Sequence, residues 1–241
     1  MKRVLTQLRA ELMLIARNGE QLLLTVVIPL ILLGFFGSVD VLPSGESDPL
    51  SFLVPGVLAV AIMSTSMVSL GIATGFERSY LVLKRLGATP LTRLELVIAK
   101  VLSVFVVELF QLILLLPVAY LLGWKISGSL WPLAVVVILL GTAAFAGVGL
   151  LLSGRLRAEL NLAAQNGLYL LLLLLGGMII PTDSLPGPLA SLAQWLPSTA
   201  LADLLRSTMN GDNNALLTPF IVLGAWALVA PAVAARRFRW S

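Results

Sequence analysis

Six long apolar runs, each able to cross a bilayer, leave this 241-residue chain few folds to choose from. The first, Gln21 to Val39, carries no charge, and at about 1.5 Å per residue it reaches roughly 28 Å, enough for the hydrocarbon core. The others run from about Leu50 to Thr74, Leu96 to Leu122, Leu130 to Ser153, Asn161 to Ile180 and Ala215 to Ala235. Charged residues make up 12% of the chain, about half the share usual in a water-soluble domain. The reading is a single all-α membrane domain over residues 1–241, with six transmembrane helices and no loop long enough for a soluble domain.

Cysteine and histidine are both absent. Disulfides, thiol nucleophiles, the usual zinc ligands and any Ser-His-Asp arrangement are therefore excluded, and the reading assigns no catalytic residue and no metal site. The four lysines sit in no GxxxxGK[ST] loop, so ATP phosphates are not cradled here in the usual way and the energy source is expected elsewhere. No basic patch with interleaved aromatics argues for nucleic acid. With the N-terminus inside, fourteen of the sixteen cations fall in inner segments, leaving only Lys125 and Arg206 outside. That bias predicts cytoplasmic termini.

Residues Met1 to Asn18 predict an interfacial amphipathic helix, with Val4, Leu5, Leu8, Leu12 and Ile15 on one side and Lys2, Arg3, Arg9 and Arg17 on the other. Arg9, Glu11 and Arg17 break any signal-peptide core, so the helix is expected to stay on the protein. It serves either as a lipid anchor alone or also as a partner contact. An acidic turn from Asp40 to Pro49 comes after the first span. Gly71 and Gly75 form a GxxxG at the inner end of the second span, while Ala143 with Gly147 and Gly149 with Ser153 give small-residue spacing in the fourth. Glu108 is the one ionisable residue placed deep in the bilayer; it must face protein or a water-filled cavity, and an inter-helix hydrogen bond is preferred to a substrate or proton role. Trp124, Lys125 and Trp131 predict an interfacial belt. Between Pro181 and Asn214, prolines cut the chain into two short outer helices, the second capped by Ser198.

The stretch Gly75 to Pro90, GFERSYLVLKRLGATP, is short, charged and set between two spans. Gly87 offers a helix stop and Pro90 disfavours helix before it, which predicts a short helix from Phe76 to Leu86 along the membrane surface. Pro55 and Gly56, the Glu77 and Arg78 pair, and the string KRLGATPLTRLEL from Lys84 to Leu96 resemble permease subunits of type-2 ABC transporters. Similar stretches are GGMIIPTDSLP (Gly176 to Pro186), the LAQWLPSTALADLLR beyond it, and the FRW ending (Phe238 to Trp240), so the resemblance covers most of the chain.

That resemblance implies an exporter half in the bacterial cytoplasmic membrane, driven by a separate ATPase dimer that holds ATP and Mg, and paired with a second permease chain, the same or homologous. Residues 75–93 then resemble the coupling loop, with Glu77, Arg78, Lys84 and Arg85 against the ATPase, and residues 181–214 an outer re-entrant cap. The implied path, along the second and fifth spans, offers Ser66, Met67, Gln165 and Tyr169, with Glu108 from the third; at each, ordinary packing is the competing reading. Few fixed charges fit a drug-like amphiphile or a lipid. A lipid-linked glycan or cell-envelope lipid, and a membrane scaffold or sensor that transports nothing, stay open as alternatives.

Overall fold

The computed structural model describes residues 2–38, 49–125, 130–211 and 216–237, and among them every regular element is helical. In hydrocarbon no water satisfies a backbone amide, so each span must close its own hydrogen bonds, which a helix does within a single segment. The order is α1 (Lys2–Arg17), α2 (Gly19–Ser38), α3 (Pro49–Met63), a π-helical turn (Ser64–Ser69), α4 (Leu70–Ser79), α5 (Val82–Gly87), α6 (Arg93–Leu121), α7 (Trp131–Ser153), α8 (Ala158–Leu175), a 3-10 turn (Thr182–Ser184), α9 (Gly187–Ala193), α10 (Pro197–Asn210) and α11 (Leu217–Arg237). The expected acidic turn after the first span and the FRW ending lie outside the described residues, as does the side chain of Trp131.

Among the described residues, five stretches combine the length and apolarity to cross a membrane: Pro49–Ser79, Arg93–Leu121, Pro132–Ser153, Ala158–Leu175 and Leu217–Arg237. A further helix, α2, contributes a shorter apolar run, Thr25–Gly37. The protein is therefore a multi-pass helical membrane protein. Its centre is the rod formed by α3, the π turn and α4, in which every residue from Phe52 to Met63 is buried. Around this rod lie α2, α6, α7, α8 and α10. Leu121 and Leu228, 83% and 74% exposed, belong to the apolar outer surface left to lipid.

Since lipid tails are as apolar as leucine, helices here gain by close approach and by polar contacts more than by expelling water. The small-residue spacing in α7 is used in this way. At Gly147 a Cβ would stand 2.4 Å from the Pro231 nitrogen of α11, and at Gly149 one would stand 2.6 Å from the Met67 carbonyl oxygen.

Several expectations are corrected. The second span does not stop near Thr74 but continues as helix through Ser79, which divides the predicted Phe76 to Leu86 helix in two. Only Val82–Gly87 forms a separate element, entered through Leu81 in the left-handed conformation at φ 61°. Ser198 is not a cap: Leu196 holds the N-cap position and Pro197 opens α10, where its missing N–H leaves nothing unsatisfied. The Ser198 side chain instead packs against Gly176. Trp124 is 2% exposed and belongs to the core rather than to an interfacial belt, because the chain turns back at Gly123, φ 105°, after α6. The fifth span as helix ends at Leu175, not Ile180.

The two expected short helices before the last span are present as α9 and α10, yet α10 is mostly buried and packs on α3, α7 and α11. Arg206 explains much of this. Its guanidinium donates to the Gly177 and Met178 carbonyl oxygens at 2.6 and 3.1 Å and lies 3.8 Å over the Phe52 ring. Its ion pair with Asp203, at 3.6 Å, is longer than either hydrogen bond and more exposed.

Candidate functional site

At the end of the bundle where α1 begins, three charged side chains from three distant segments meet. The Lys100 ammonium of α6, 1% exposed, lies 2.8 Å from Glu77 Oε2 of α4 and 3.0 Å from Glu11 Oε1 of α1. Gln7, one turn before Glu11, donates to Glu11 Oε1 at 2.8 Å. A lone lysine at this depth would be expensive to bury, so the carboxylates are what make its position tenable. Two carboxylates share one ammonium.

The ions form one wall of a cavity of about 290 Å³ enclosed by α1, α2, α4 and α6. Its polar lining includes Thr25, Thr65, Ser69 and Ser103, and its apolar lining includes Leu22, Leu70, Val104 and Phe76. The π turn matters here. Thr65 and Ser69, both within it, line the cavity, and its extra residue rotates α4 beyond it relative to α3. Thr65 donates to Gln111 Oε1 at 3.2 Å, and the Gln111 amide donates to the Thr25 carbonyl oxygen at 2.8 Å, bridging the second-span rod, α6 and α2.

The helix α1 packs on α6 through a side that includes Glu11. Val4, Leu8, Leu12 and Ile15 are half-buried, with buried Glu11 on the same side, facing α6. Leu5, Met13 and Leu14 remain exposed. Arg3 donates to the Pro90 carbonyl oxygen at 2.9 Å, joining α1 to the segment between α5 and α6. The protein-facing side thus includes an acid, which the simple division into apolar and basic sides left out.

The four coupling candidates separate into two pairs. Glu77 turns inward to Lys100, and Arg78 donates to the Leu156 carbonyl oxygen at 2.7 Å, tying the foot of α4 to the connection between α7 and α8. Lys84 and Arg85 are exposed on α5, whose Leu83 is fully buried and anchors it. The segment after α5 is closed by the Thr92 capping box, with Glu95 N–H donating to Thr92 Oγ1 at 3.2 Å and Thr92 N–H donating to Glu95 Oε2 at 2.8 Å.

None of the five path candidates lines this cavity. Ser66 and Met67 are buried in the π turn, Ser66 bonding back to Ile62 and Met67 packing on Gly149. Glu108 bonds to Thr142 of α7. Gln165 donates to the Gly149 carbonyl oxygen at 2.9 Å and to Asn161 Oδ1 at 3.3 Å, while Asn161 donates to the Gly71 carbonyl oxygen at 2.9 Å. Tyr169 is half-buried on α8. These contacts knit α4, α7 and α8 together. Sequence reasoning missed Glu11, Lys100 and the π turn; for Glu11 the signal was its place three residues from Leu8 and four from Ile15.

A family model described as ABC-2 type transporter matches residues 3–210. The chain is 28% identical over 189 residues to the probable multidrug ABC transporter permease YbhS of Escherichia coli strain K12, covering 76% of this chain and 48% of that protein. It is 29% identical over 199 residues to the putative transport permease YvfS of Bacillus subtilis strain 168, covering 78% of each. The chain spans about half the length of the Escherichia coli relative.

Proposed function

The chain belongs to the ABC-2 type transporter family, and on that footing we propose that it is the permease subunit of an ATP-binding cassette exporter for a hydrophobic or amphiphilic compound. In this reading a separate ATPase dimer binds the end of the bundle that carries α1 and α5, and a second permease chain completes the path. ATP and its Mg belong to the ATPase. The membrane is the bacterial cytoplasmic membrane, with both termini on the ATPase side.

The observation that carries the reading is the attachment of α5. An exposed basic helix hangs directly on the most buried rod of the bundle, one turn below Glu77. A displacement of α5 reaches α4 through the short Tyr80 and Leu81 connection, and reaches α1 and α6 through the Glu77, Lys100 and Glu11 contacts. Leu81 in the left-handed region costs about 1–2 kcal/mol, a local strain placed where the two helices join. For ATP to drive transport, the ATPase must prefer one arrangement of these helices over another, since equal affinity for both shifts nothing.

Proteoliposomes containing the chain and its ATPase test the proposal. ATP-dependent movement of a fluorescent amphiphile, with hydrolysis stimulated by that compound, is the expected result. Vesicles that hydrolyse ATP without moving amphiphiles but move a lipid-linked glycan would replace the substrate class; vesicles that move nothing would remove the exporter reading.

A further inference from the structure

We propose that the cavity between α1, α2, α4 and α6 is a binding site for a hydrophobic monocation, such as a planar aromatic or alkyl ammonium ion. The inference goes beyond the exporter reading, because it concerns what one permease chain binds by itself. Three independent features meet at this place. The first is charge: among the described residues lining the cavity, Glu11 and Glu77 face a single cation, Lys100. With both carboxylates ionised, the described cluster carries one negative charge more than Lys100 balances, in a space walled by low-dielectric side chains that strengthen its attraction for a cation.

The second feature is aromatic. Phe76 and Tyr80, one turn apart on and just beyond α4, stack with ring centroids 6.2 Å apart, and both line the cavity. Their faces favour a poorly hydrated cation over a neutral solute. The third is access. Leu14, Tyr80 and Val82 line the cavity and are also substantially exposed, so its mouth opens to the outer surface of the bundle beside α1. A volume of about 290 Å³ suits a compact organic ion rather than a lipid with two chains. The hydroxyls at the far end, Thr65 and Ser103 among them, give the deeper part a polar lining without adding charge.

The test is ethidium binding, read by fluorescence, to the full chain in nanodiscs of zwitterionic lipid without ATPase. Failure here is distinguishable from failure of the exporter reading, which needs ATP and transport. Glu77→Gln removes the surplus charge while keeping Lys100 paired with Glu11, and it is expected to weaken ethidium binding at least tenfold. Tyr80→Ala is expected to weaken it several-fold. Leu14→Trp, at an exposed mouth position that leaves the packing intact, is expected to block entry. A neutral dye of similar size should bind the unaltered chain and Glu77→Gln alike. Wild-type ethidium affinity in both Glu77→Gln and Leu14→Trp would overturn the proposal, as would absence of saturable ethidium binding to the folded, unaltered chain.

Discussion

The two sides of α4 are built in opposite ways. Toward α8 the helix is fastened: a Cβ at Gly71 would stand 2.0 Å from Gln165 Nε2, and one at Gly75 would stand 2.4 Å from Asn161 Nδ2. Buried amides fill the space that glycine leaves and bond to backbone oxygens on α4 and α7. Toward α1 and α6 the same helix faces a cavity, and what spans that side is an ammonium shared by two carboxylates. Close packing has few alternatives of equal energy, whereas long charged side chains around a void can exchange partners over small shifts of backbone. One side of α4 thus holds the rod to α7 and α8 by close packing, and the other meets α1 and α6 across a cavity through charged side chains.

Substitutions on the two sides break this comparison in a definite order. Lys100→Ala leaves the buried Glu11 and the half-buried Glu77 carboxylates facing each other and is expected to destabilise by about 3–5 kcal/mol, seen as the largest drop in Tm by intrinsic fluorescence in mild detergent. Gly71→Val overfills the α8 side and is expected to lower stability by about 1–3 kcal/mol by the same measurement, with loss of monodisperse protein on size exclusion. Glu77→Gln keeps a hydrogen-bond acceptor for Lys100 and leaves Glu11 in place, so its loss should be about 1 kcal/mol. Last comes Lys84→Ala combined with Arg85→Ala, which should leave Tm unchanged while reducing ATPase-coupled transport. A Gly71→Val protein as stable as the unaltered chain would show that the α8 side is not close-packed, and a large loss in Glu77→Gln would show that the charged side is not adaptable.

The spans were legible because their physics is local. A charge-free run of the right length must become a helix wherever lipid surrounds it, and Leu96 to Leu122 and Leu130 to Ser153 come within a few residues of α6 and α7. The GxxxG at Gly71 and Gly75 also announced a close contact, though not that the partners would be the amides of Asn161 and Gln165. The ionic cluster was hidden for the opposite reason: Glu11, Glu77 and Lys100 come from three segments, and each alone has an ordinary surface explanation. Lys100 in particular lies early enough in α6 to pass for an inner-loop charge. The π turn leaves no compositional trace, since Ser64, Thr65, Ser66 and Ser69 are common in membrane helices bonding to their own backbone. Glu108, prominent in the sequence because it is charged and deep, bonds to Thr142 between α6 and α7 and lies away from the cavity.

The central claim is that this chain is one half of an ATP-driven assembly contacted through α5. Its most direct test is purification of the tagged chain from its native membrane in mild detergent, with mass spectrometry of the proteins that accompany it. The account predicts an ATP-binding subunit in stoichiometric amount, lost when Lys84 and Arg85 are both changed to Glu and retained in Glu77→Gln. Recovery of the chain without any ATP-binding subunit, under conditions that keep other ABC complexes intact, would contradict it.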